Sequence, residues 1–414
     1  MMRRMIEDWA RLTHLPERTW TAVSNFILVA SISLGGCTLT NRPAYNFSEA
    51  IRAGILGFEN IRIHADDPRP PKSVHDPWRP VTPKGKPSML AISGGGAGGA
   101  FTVGILSAWS ELGNRPRFDV VTGVSTGALI APLAFLGSDY DERLRQLYLS
   151  NQAESLIDIN WKGLGILSPG LLRGDALRRS VENNMTPAIM HRIAYEHRAG
   201  RRLLVMTTNL DTQRAVVWNI GAIADSGRAD AVVLIRQVLI ASASVPGILP
   251  PVSIKAVVDG KQIEELHSDG GTSSQFFTLP EQLIVAQNGS PKENLQIYVI
   301  INNALIPEFS MSPSRALPIM GRAYAILMKS QAKQGLMALY NFSQRTGVDL
   351  DIAAIDAQVP YSMKNPLDSH YMRTVYLSGY RRTLGKRIWT KRPIFSTPLL
   401  NGPDSNSNGE KPSF

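Results

Sequence analysis

The sequence predicts an α/β fold in which a central, mostly parallel sheet is flanked by helices. Strand-like apolar runs alternate with helical stretches between residues 88 and 305, a pattern typical of a sheet that is covered on both faces. The chain has 414 residues, of which 43% are hydrophobic, so it can bury a large core. The predicted strands are S-M-L-A-I at 88–92, F-D-V-V at 118–121, R-L-L-V-M-T-T-N-L at 202–210, A-V-V-W-N at 215–219 and L-Q-I-Y-V-I-I-N at 295–302.

Two of these strands lead through glycine-containing turns into predicted helices. The helices are A-F-T-V-G-I-L-S-A-W-S-E-L at 100–112 and T-G-A-L-I-A-P-L-A-F-L at 126–136. In open α/β sheets, ligands bind outside the carboxyl ends of the strands. Both turns are therefore expected at the edge of the sheet where a functional site would form.

The first turn contains Gly94, Gly96 and Gly99, which match the spacing G-x-G-x-x-G. Such a loop cradles the pyrophosphate of a dinucleotide, but the same backbone N–H groups can also hold the oxyanion formed during ester cleavage. A dinucleotide site needs an acidic residue about 20 positions further on, at the carboxyl end of the next strand. Asp119 has the distance but lies at the start of its strand, so the oxyanion interpretation is favoured.

The second turn, Gly123-Val124-Ser125-Thr126-Gly127, fits G-x-S-x-G between a strand and a helix. This is the context of a nucleophile elbow, in which a tight turn exposes a serine hydroxyl beside the N-terminus of a helix. An ordinary strand-to-helix turn with Ser125 as the N-cap explains the motif alone equally well.

A nucleophilic serine needs a base, and the histidines that follow Ser125 are not placed as an obvious one. His191 and His197 lie on a polar helix face, His370 has no apolar strand leading into it, and His267 lies at the approach to a turn but is not marked as a base. Asp269 is better placed, because the turn Asp269-Gly270-Gly271 allows its carboxylate to point into a cleft. A lone D-G-G is usually a surface turn.

Three segments in this order, S-G-G-G-A-G-G (93–99), G-V-S-T-G (123–127) and S-D-G-G (268–271), resemble the patatin-like phospholipases. These enzymes are lipid acyl hydrolases that use a Ser–Asp dyad without histidine. Three further segments look similar to the family: S-P-G-L-L-R-G-D-A-L (168–177), T-T-N-L-D-T-Q-R-A-V-V-W (207–218) and A-S-A-S-V-P-G-I-L-P-P-V (241–252). The resemblance implies a three-layer fold over residues 88–305.

The resemblance also implies roles for individual residues. Ser125 would be the nucleophile and Asp269 its proton acceptor. The oxyanion hole would be formed by Gly94, Gly95 and Gly96, and the remaining motif glycines are Gly99, Gly123, Gly127, Gly270 and Gly271. The family usually has a basic residue two places after the third glycine, whereas this chain has Gly98. Val245, Ile248 and Leu249 are candidates for lining an acyl-chain channel, or are ordinary core residues.

The charge balance favours an anionic partner. The chain has 44 Lys and Arg against 34 Asp and Glu, a formal net charge of +10, which suits a lipid surface. No nucleic-acid-binding motif is present, and neither a metal-binding motif nor a need for a cofactor is indicated. The basic stretch 380–392, with Tyr380 and Trp389, is read as a solvated helix face rather than a lipid-binding patch.

The N-terminus has the layout of a bacterial secretory signal, with arginines upstream of a short apolar segment that ends in L-G-G-C. Cys37 then resembles the lipidated cysteine of a lipoprotein, which predicts a lipid-anchored protein of the cell envelope, facing the periplasm or the exterior. An amphipathic anchoring segment, or a buried helix with an inert cysteine, is the alternative. The expected partner is a phospholipid or another acyl-ester lipid at a membrane surface.

The predicted organisation is a signal or anchor segment (1–36), a proline-rich linker (37–87), the acyl hydrolase domain (88–305), a helical C-terminal extension (306–397) and a disordered tail (398–414).

Two other functions stay open at this point. One is an α/β-hydrolase with a Ser-Asp-His triad that uses His370, although no H-G-G-G segment precedes the serine. The other is a nucleotide-binding protein that uses the glycine loop.

Overall fold

The computed structural model describes residues 42–67, 80, 85–150, 174–285, 294–309, 311, 314–355 and 368–395. The predicted signal segment 1–36, Cys37 and the tail 398–414 lie outside the described residues. Among the described helices, none is long and apolar enough to cross a membrane.

One mixed sheet holds the described part of the chain together. Its strand order is β1-β5-β4-β3-β2-β8-β9, and β7 pairs with both β4 and β6. The strands are β1 (Arg62–His64), β2 (Ser88–Ile92), β3 (Val120–Val124), β4 (Arg202–Asn209), β5 (Arg214–Asn219), β6 (Val252–Val258), β7 (Lys261–Asp269), β8 (Gln296–Ala304) and β9 (Asp349–Ile355).

The centre of the sheet is parallel. Strands β4, β3, β2, β8 and β9 pair in parallel, whereas β1, β5, β6 and β7 pair with their neighbours antiparallel. Ile92 is in register with Gly123, so the two glycine-containing turns leave adjacent strands at the same edge. The sheet thereby brings the glycine loop and the serine turn side by side.

Helices cover both faces of this sheet. The described helices are α1 (Phe47–Arg52), α2 (Gly99–Glu111), α3 (Thr126–Leu136), α4 (Asp141–Leu149), α5 (Asp175–Asn184), α6 (Pro187–Arg198), α7 (Ile220–Asp225), α8 (Ala231–Ser242), α9 (Glu281–Val285), α10 (Ala316–Thr346) and α11 (Ser369–Leu384). The fold class predicted from the sequence is confirmed.

Alternation along the strands divides the core into two layers. Leu90 and Ile92 of β2 face the cluster formed with α2, α3, α6, α8 and α11. Met89 and Ala91 of the same strand face the opposite cluster, which includes Leu336 of α10. Side chains two positions apart share a face of a strand, so β2 is buried on both sides, as the central strand of a three-layer α/β sheet must be.

The segments on either side of the predicted hydrolase domain contribute more to the sheet than the sequence suggested. In the predicted linker, α1 begins with a capping box at Asn46, and β1 pairs with β5. In the predicted helical extension, β9 extends the sheet by pairing with β8. Because these pairings join positions far apart in sequence, local composition gave no signal for them.

The basic stretch 380–392 is tied to the domain through its aromatic residues. The Trp389 ring lies 4.9 Å from the Trp109 ring and 5.1 Å from the Tyr298 ring. Tyr380 donates a hydrogen bond to Glu111 of α2. Both aromatic side chains therefore have intramolecular packing roles.

Candidate active site

Ser125 occupies a strained turn between β3 and α3. Its backbone has φ 55° and ψ −124°, in the region that L-residues rarely adopt and that is associated with functional sites. A Cβ atom at Gly127 would lie 2.3 Å from the carbonyl oxygen of Ile92, so only glycine lets the turn approach β2 so closely. The turn is fixed further by the Ser125 N–H, which donates to Ser242 Oγ at 3.1 Å.

Asp269 ends β7 and is hydrogen-bonded to Ser125. Ser125 Oγ donates to Asp269 Oδ2 at 2.6 Å, while Oδ1 accepts the N–H of Gly271 at 2.6 Å. The Asp269 N–H donates to the Ser244 carbonyl at 2.9 Å, and its carbonyl accepts from Thr208 Oγ1 at 2.9 Å. Because both the backbone and the carboxylate of Asp269 are held by hydrogen bonds, Asp269 Oδ2 is fixed beside Ser125 Oγ.

The Asp269 carboxylate is poised to titrate near neutral pH. The residue is 1% exposed, and this burial raises the pKa of Asp269 to about 7, although the hydrogen bonds from Ser125 and Gly271 act to lower it. Desolvation disfavours the charged form of a carboxyl group. A carboxylate with such a pKa is a stronger base than one at its ordinary value of 3.8.

One of the three amides predicted for the oxyanion hole already has an acceptor within the protein. The Gly94 N–H already donates to the Gln275 carbonyl at 3.0 Å. Gly95 is half-buried and Gly96 is exposed. A Cβ at Gly95, whose φ is 150°, would lie 2.4 Å from the Asn302 carbonyl oxygen, so this position requires glycine.

Asn302, near the end of β8, supports that loop from behind. Its N–H donates to Ser93 Oγ at 2.8 Å and its side-chain amide donates to the Ser93 carbonyl at 2.9 Å. Thr102 donates to Asn302 Oδ1 at 2.6 Å. Asn302 was not singled out from the sequence; the available signal was a polar residue that ends an otherwise apolar strand.

The other motif glycines lie in or directly beside the elements that carry Ser125 and Asp269. Gly123 lies within β3, and Gly270 and Gly271 form a single 3-10 turn with Thr272 directly after Asp269. Gly99 begins α2, and a Cβ there would lie 2.6 Å from Thr126 Oγ1.

His267 is buried two residues before Asp269, and both of its ring nitrogens have partners. Nδ1 lies 2.9 Å from Thr207 Oγ1, and Nε2 lies 3.1 Å from Glu265 Oε2. Because Trp218 Nε1 donates to Thr207 Oγ1 at 2.8 Å, the Thr207 hydroxyl is free to donate to Nδ1, which places the imidazole proton on Nε2. His267 is thereby committed to a structural network.

The remaining candidate residues are not brought to Ser125. His191 and His370 are exposed on α6 and α11, and His197 packs against Gly221. Asp119 accepts the Ser88 N–H at 2.7 Å, at the amino ends of β2 and β3. It therefore lies at the opposite end of these strands from the glycine loop.

Helix α10 lies over the segment that follows Asp269. Gln275 Nε2 contacts Met328 Sδ at 2.8 Å, and Gln331 donates to the Thr272 carbonyl at 3.3 Å. Burial raises the pKa of Tyr324, and the charge of Asp269 raises it further. Gln275 joins three parts of the site, because its side chain also donates to the Gly271 carbonyl at 3.0 Å while its own carbonyl holds Gly94.

Residues 90–280 match the family model described as "Patatin-like phospholipase". These residues therefore form a patatin-like phospholipase domain. The patatin-like domain contains Ser125, Asp269 and the glycine loop. The cUMP-AMP-activated phospholipase of Escherichia coli is 46% identical over 57 residues, which are 13% of this chain and 18% of that protein. The matched stretch thus spans less than a fifth of that relative.

Two of the solved structures that are similar to this chain are those of VipD and ExoU. VipD from Legionella pneumophila aligns with a TM-score of 0.40 and 13% identity, over 73% of this chain and 67% of VipD. The type III effector protein ExoU aligns with a TM-score of 0.36 and 15% identity, over 73% of this chain and 53% of ExoU.

Proposed function

We propose that this chain is a serine acyl hydrolase that cleaves fatty-acyl esters of phospholipids or other lipids, with Ser125 and Asp269 as a catalytic dyad. The observation that carries the proposal is the 2.6 Å hydrogen bond from Ser125 Oγ to a buried carboxylate. The family match of residues 90–280 supports a lipid-hydrolysing enzyme.

In the proposed mechanism, Ser125 Oγ attacks the ester carbonyl as its proton passes to Asp269 Oδ2. The tetrahedral intermediate then collapses, the alcohol leaves with that proton and the acyl group stays on Ser125. Water, deprotonated by Asp269, releases the fatty acid and restores the serine. The raised pKa of Asp269 suits both roles, acceptor and then donor.

The oxyanion is assigned to the amides of Gly95 and Gly96, because the Gly94 amide already has the Gln275 carbonyl as its acceptor. The N-terminus of α3, directly after Ser125, adds positive electrostatic potential beside the same oxygen. Loss of one donor of this kind costs about 3–4 kcal/mol in other hydrolases, so these two amides are a large part of the proposed catalysis.

The acyl chain is assigned to the segment that holds Val245, Ile248 and Leu249. These side chains are half-buried, and the segment begins at Ser244, whose carbonyl accepts the Asp269 N–H. An apolar chain bound there would lie next to the dyad.

The Ser-Asp-His alternative is disfavoured by the same geometry. His267 uses both ring nitrogens in other contacts, and His370 is on the surface of α11. A nucleotide-binding role is disfavoured because Asp119 lies at the wrong end of the strands.

The test is acyl release from mixed phospholipid vesicles by the wild type, Ser125→Ala and Asp269→Asn. Both variants are expected to lose release while keeping a cooperative thermal transition, with His370→Ala as the control that retains release. If both variants keep releasing fatty acid, the dyad assignment is wrong. If His370→Ala alone abolishes release, a triad is favoured.

For the N-terminal segment, we propose lipidation at Cys37 and a location at the bacterial cell envelope, in agreement with the L-G-G-C sequence. The mass of the mature N-terminus measured from membrane and supernatant fractions tests this. An unmodified Met1 or an unmodified Cys37 on the isolated protein would contradict it.

A further inference from the structure

The first half of α10 presents an apolar surface to solvent beside the candidate active site. Ile319, Met320, Ile326 and Leu327 are all more than half exposed, and Ala323 between them is exposed as well. These positions follow one another at i, i+1, i+4, i+7 and i+8, so they share one side of the helix. They form the outer face of α10. Contiguous exposed apolar side chains of this kind mark interaction sites.

The loop before α10 adds two more apolar side chains. Phe309 is 96% exposed and Met311 is 86% exposed. This loop is tied to α10, because Arg322 donates to the Glu308 carbonyl at 2.5 Å and Lys329 donates to the Ile306 carbonyl at 2.9 Å. Phe309 is therefore held beside the helix by the contacts at Ile306 and Glu308.

The loop before α10 and the first part of α10 carry a net positive charge. Between positions 306 and 338 the sequence has four basic residues, Arg315, Arg322, Lys329 and Lys333, against the single acidic residue Glu308, so the formal balance is 4 − 1 = +3. Apolar side chains flanked by basic ones are the pattern of a helix that lies in the interface of an anionic bilayer. A protein partner would need an acidic rim around an apolar groove, whereas a bilayer with anionic headgroups supplies both at once.

Residues of α10 next to the outer face pack on the site itself. Met328 contacts Gln275 and Gln331 contacts Thr272, both within six residues of Asp269. A helix that rests on a bilayer with its outer face would therefore hold the dyad at the height of the lipid headgroups and glycerol esters.

We propose that the outer face of α10, together with Phe309 and Met311, docks this protein onto an anionic lipid bilayer. This inference deepens the proposed function and rests on it, because a bilayer that holds the substrate is the expected occupant of a face next to the dyad.

The first test is co-flotation of the full-length protein, in a Cys37→Ser background that excludes a lipid anchor, with phosphatidylcholine vesicles that contain or lack phosphatidylglycerol. The variant Ile326→Gln/Leu327→Gln removes two side chains that are each 59% exposed, and it is expected to lower partitioning to the anionic vesicles by about tenfold. The control Ile51→Gln/Val233→Gln changes side chains of similar exposure, 50% and 52%, on other helices and is expected to partition like the wild type.

The second test measures whether the outer face of α10 itself enters the bilayer. A polarity-sensitive dye is placed on Leu327→Cys, or on Val233→Cys as the control, in a Cys37→Ser background. Anionic vesicles are expected to shift the emission of the Leu327 probe to the blue and to leave the Val233 probe unchanged. Equal partitioning of both double variants, or no shift at Leu327, overturns the proposal.

Two further measurements distinguish membrane docking from dimerisation and from the proposed catalytic function. If light scattering shows a dimer that Ile326→Gln/Leu327→Gln converts to a monomer, and vesicles do not bind, the face joins copies of the chain and the proposal is wrong. Hydrolysis of the soluble ester p-nitrophenyl butyrate is expected to be unchanged in the face variant. If the face binds vesicles but no ester is cleaved, the proposed catalytic function fails while the docking surface stands.

Discussion

The carbonyl oxygen of Asn302 occupies the space where a side chain at position 98 would begin. A Cβ built on Gly98 would lie 1.9 Å from that oxygen and 3.2 Å from Cδ1 of Ile355 on β9. The basic residue usual at this place in the family therefore has no room here. In this chain β8 and β9 close the back of the glycine loop, and its amides are left to act without a neighbouring cation at that position.

Introducing the basic residue usual in the family is therefore expected to damage the protein. Gly98→Lys and Gly98→Ala should each destabilise the fold by about 1–3 kcal/mol, because overpacking forces the backbone apart. Gly54→Ala is the matched control, since nothing lies within 4 Å of its Cβ. Thermal unfolding measures the effect, and a Gly98→Lys variant that is as stable as the wild type and more active would show that the loop has room for the cation.

The rate of ester hydrolysis is expected to depend on the protonation of Asp269. The carboxyl group must be ionised to accept the Ser125 proton, and its pKa is about 7. The value of kcat/KM should therefore fall about tenfold per pH unit below pH 7 and level off above it. A profile measured with a soluble ester avoids titration of the vesicle surface. A rate that stays constant down to pH 5 would exclude Asp269 as the base.

The free energy of unfolding should fall as pH rises toward 7, whereas the rate of hydrolysis should rise. Because the pKa of Asp269 is raised above its ordinary 3.8, the native state binds more protons than the unfolded state between pH 4 and pH 7, and stability falls as pH rises through that window. Asp269→Asn, which removes the buried charge, should stabilise the protein by up to about 4 kcal/mol above pH 7. The gain should shrink toward pH 4. Denaturant unfolding at several pH values measures it, and a gain independent of pH would contradict the linkage.

The sequence predicted the strand and turn that place Ser125 and the turn at Asp269, because these follow local rules of periodicity and turn chemistry, but it did not predict β7, the strand that ends at Asp269. The predicted strand at 88–92 matches the bounds of β2, and the G-x-S-x-G motif spans the junction of β3 and α3 with Ser125 between them, as expected for an elbow. Asp269 is the last residue of the antiparallel strand β7, so its proximity to Ser125 was predicted only from family resemblance.

What sequence reasoning missed depends on contacts between distant positions. The occupied amide of Gly94 requires Gln275, about 180 residues away in the chain, and the support of the loop requires Asn302. Neither residue belongs to a motif, and local patterns carry no information about which distant carbonyl an amide will meet. The strand β9 was missed for the same reason, since its pairing with β8 follows a long intervening helix.

The buried ion pair between Arg62 and Glu265 offers a test of how the region behind Asp269 is held. Arg62 of β1 donates to both carboxylate oxygens of Glu265 on β7. Burial acts to raise the pKa of Glu265, but the hydrogen bond with His267 and the charge of Arg62 lower it to about 2. The carboxylate is thus charged at neutral pH while 1% exposed.

Removing one partner of such a pair leaves an uncompensated buried charge, which costs about 3–5 kcal/mol. Arg62→Met should therefore lower the free energy of unfolding by that amount, whereas Arg52→Met, which breaks the exposed pair with Asp259, should change it by less than about 1 kcal/mol. The double variant Arg62→Met/Glu265→Gln should recover much of the loss, because glutamine removes the charge and still accepts the His267 N–H. If Arg62→Met is as stable as Arg52→Met, then Glu265 is not held as a buried carboxylate, and the position of His267 beside Asp269 must depend on other contacts.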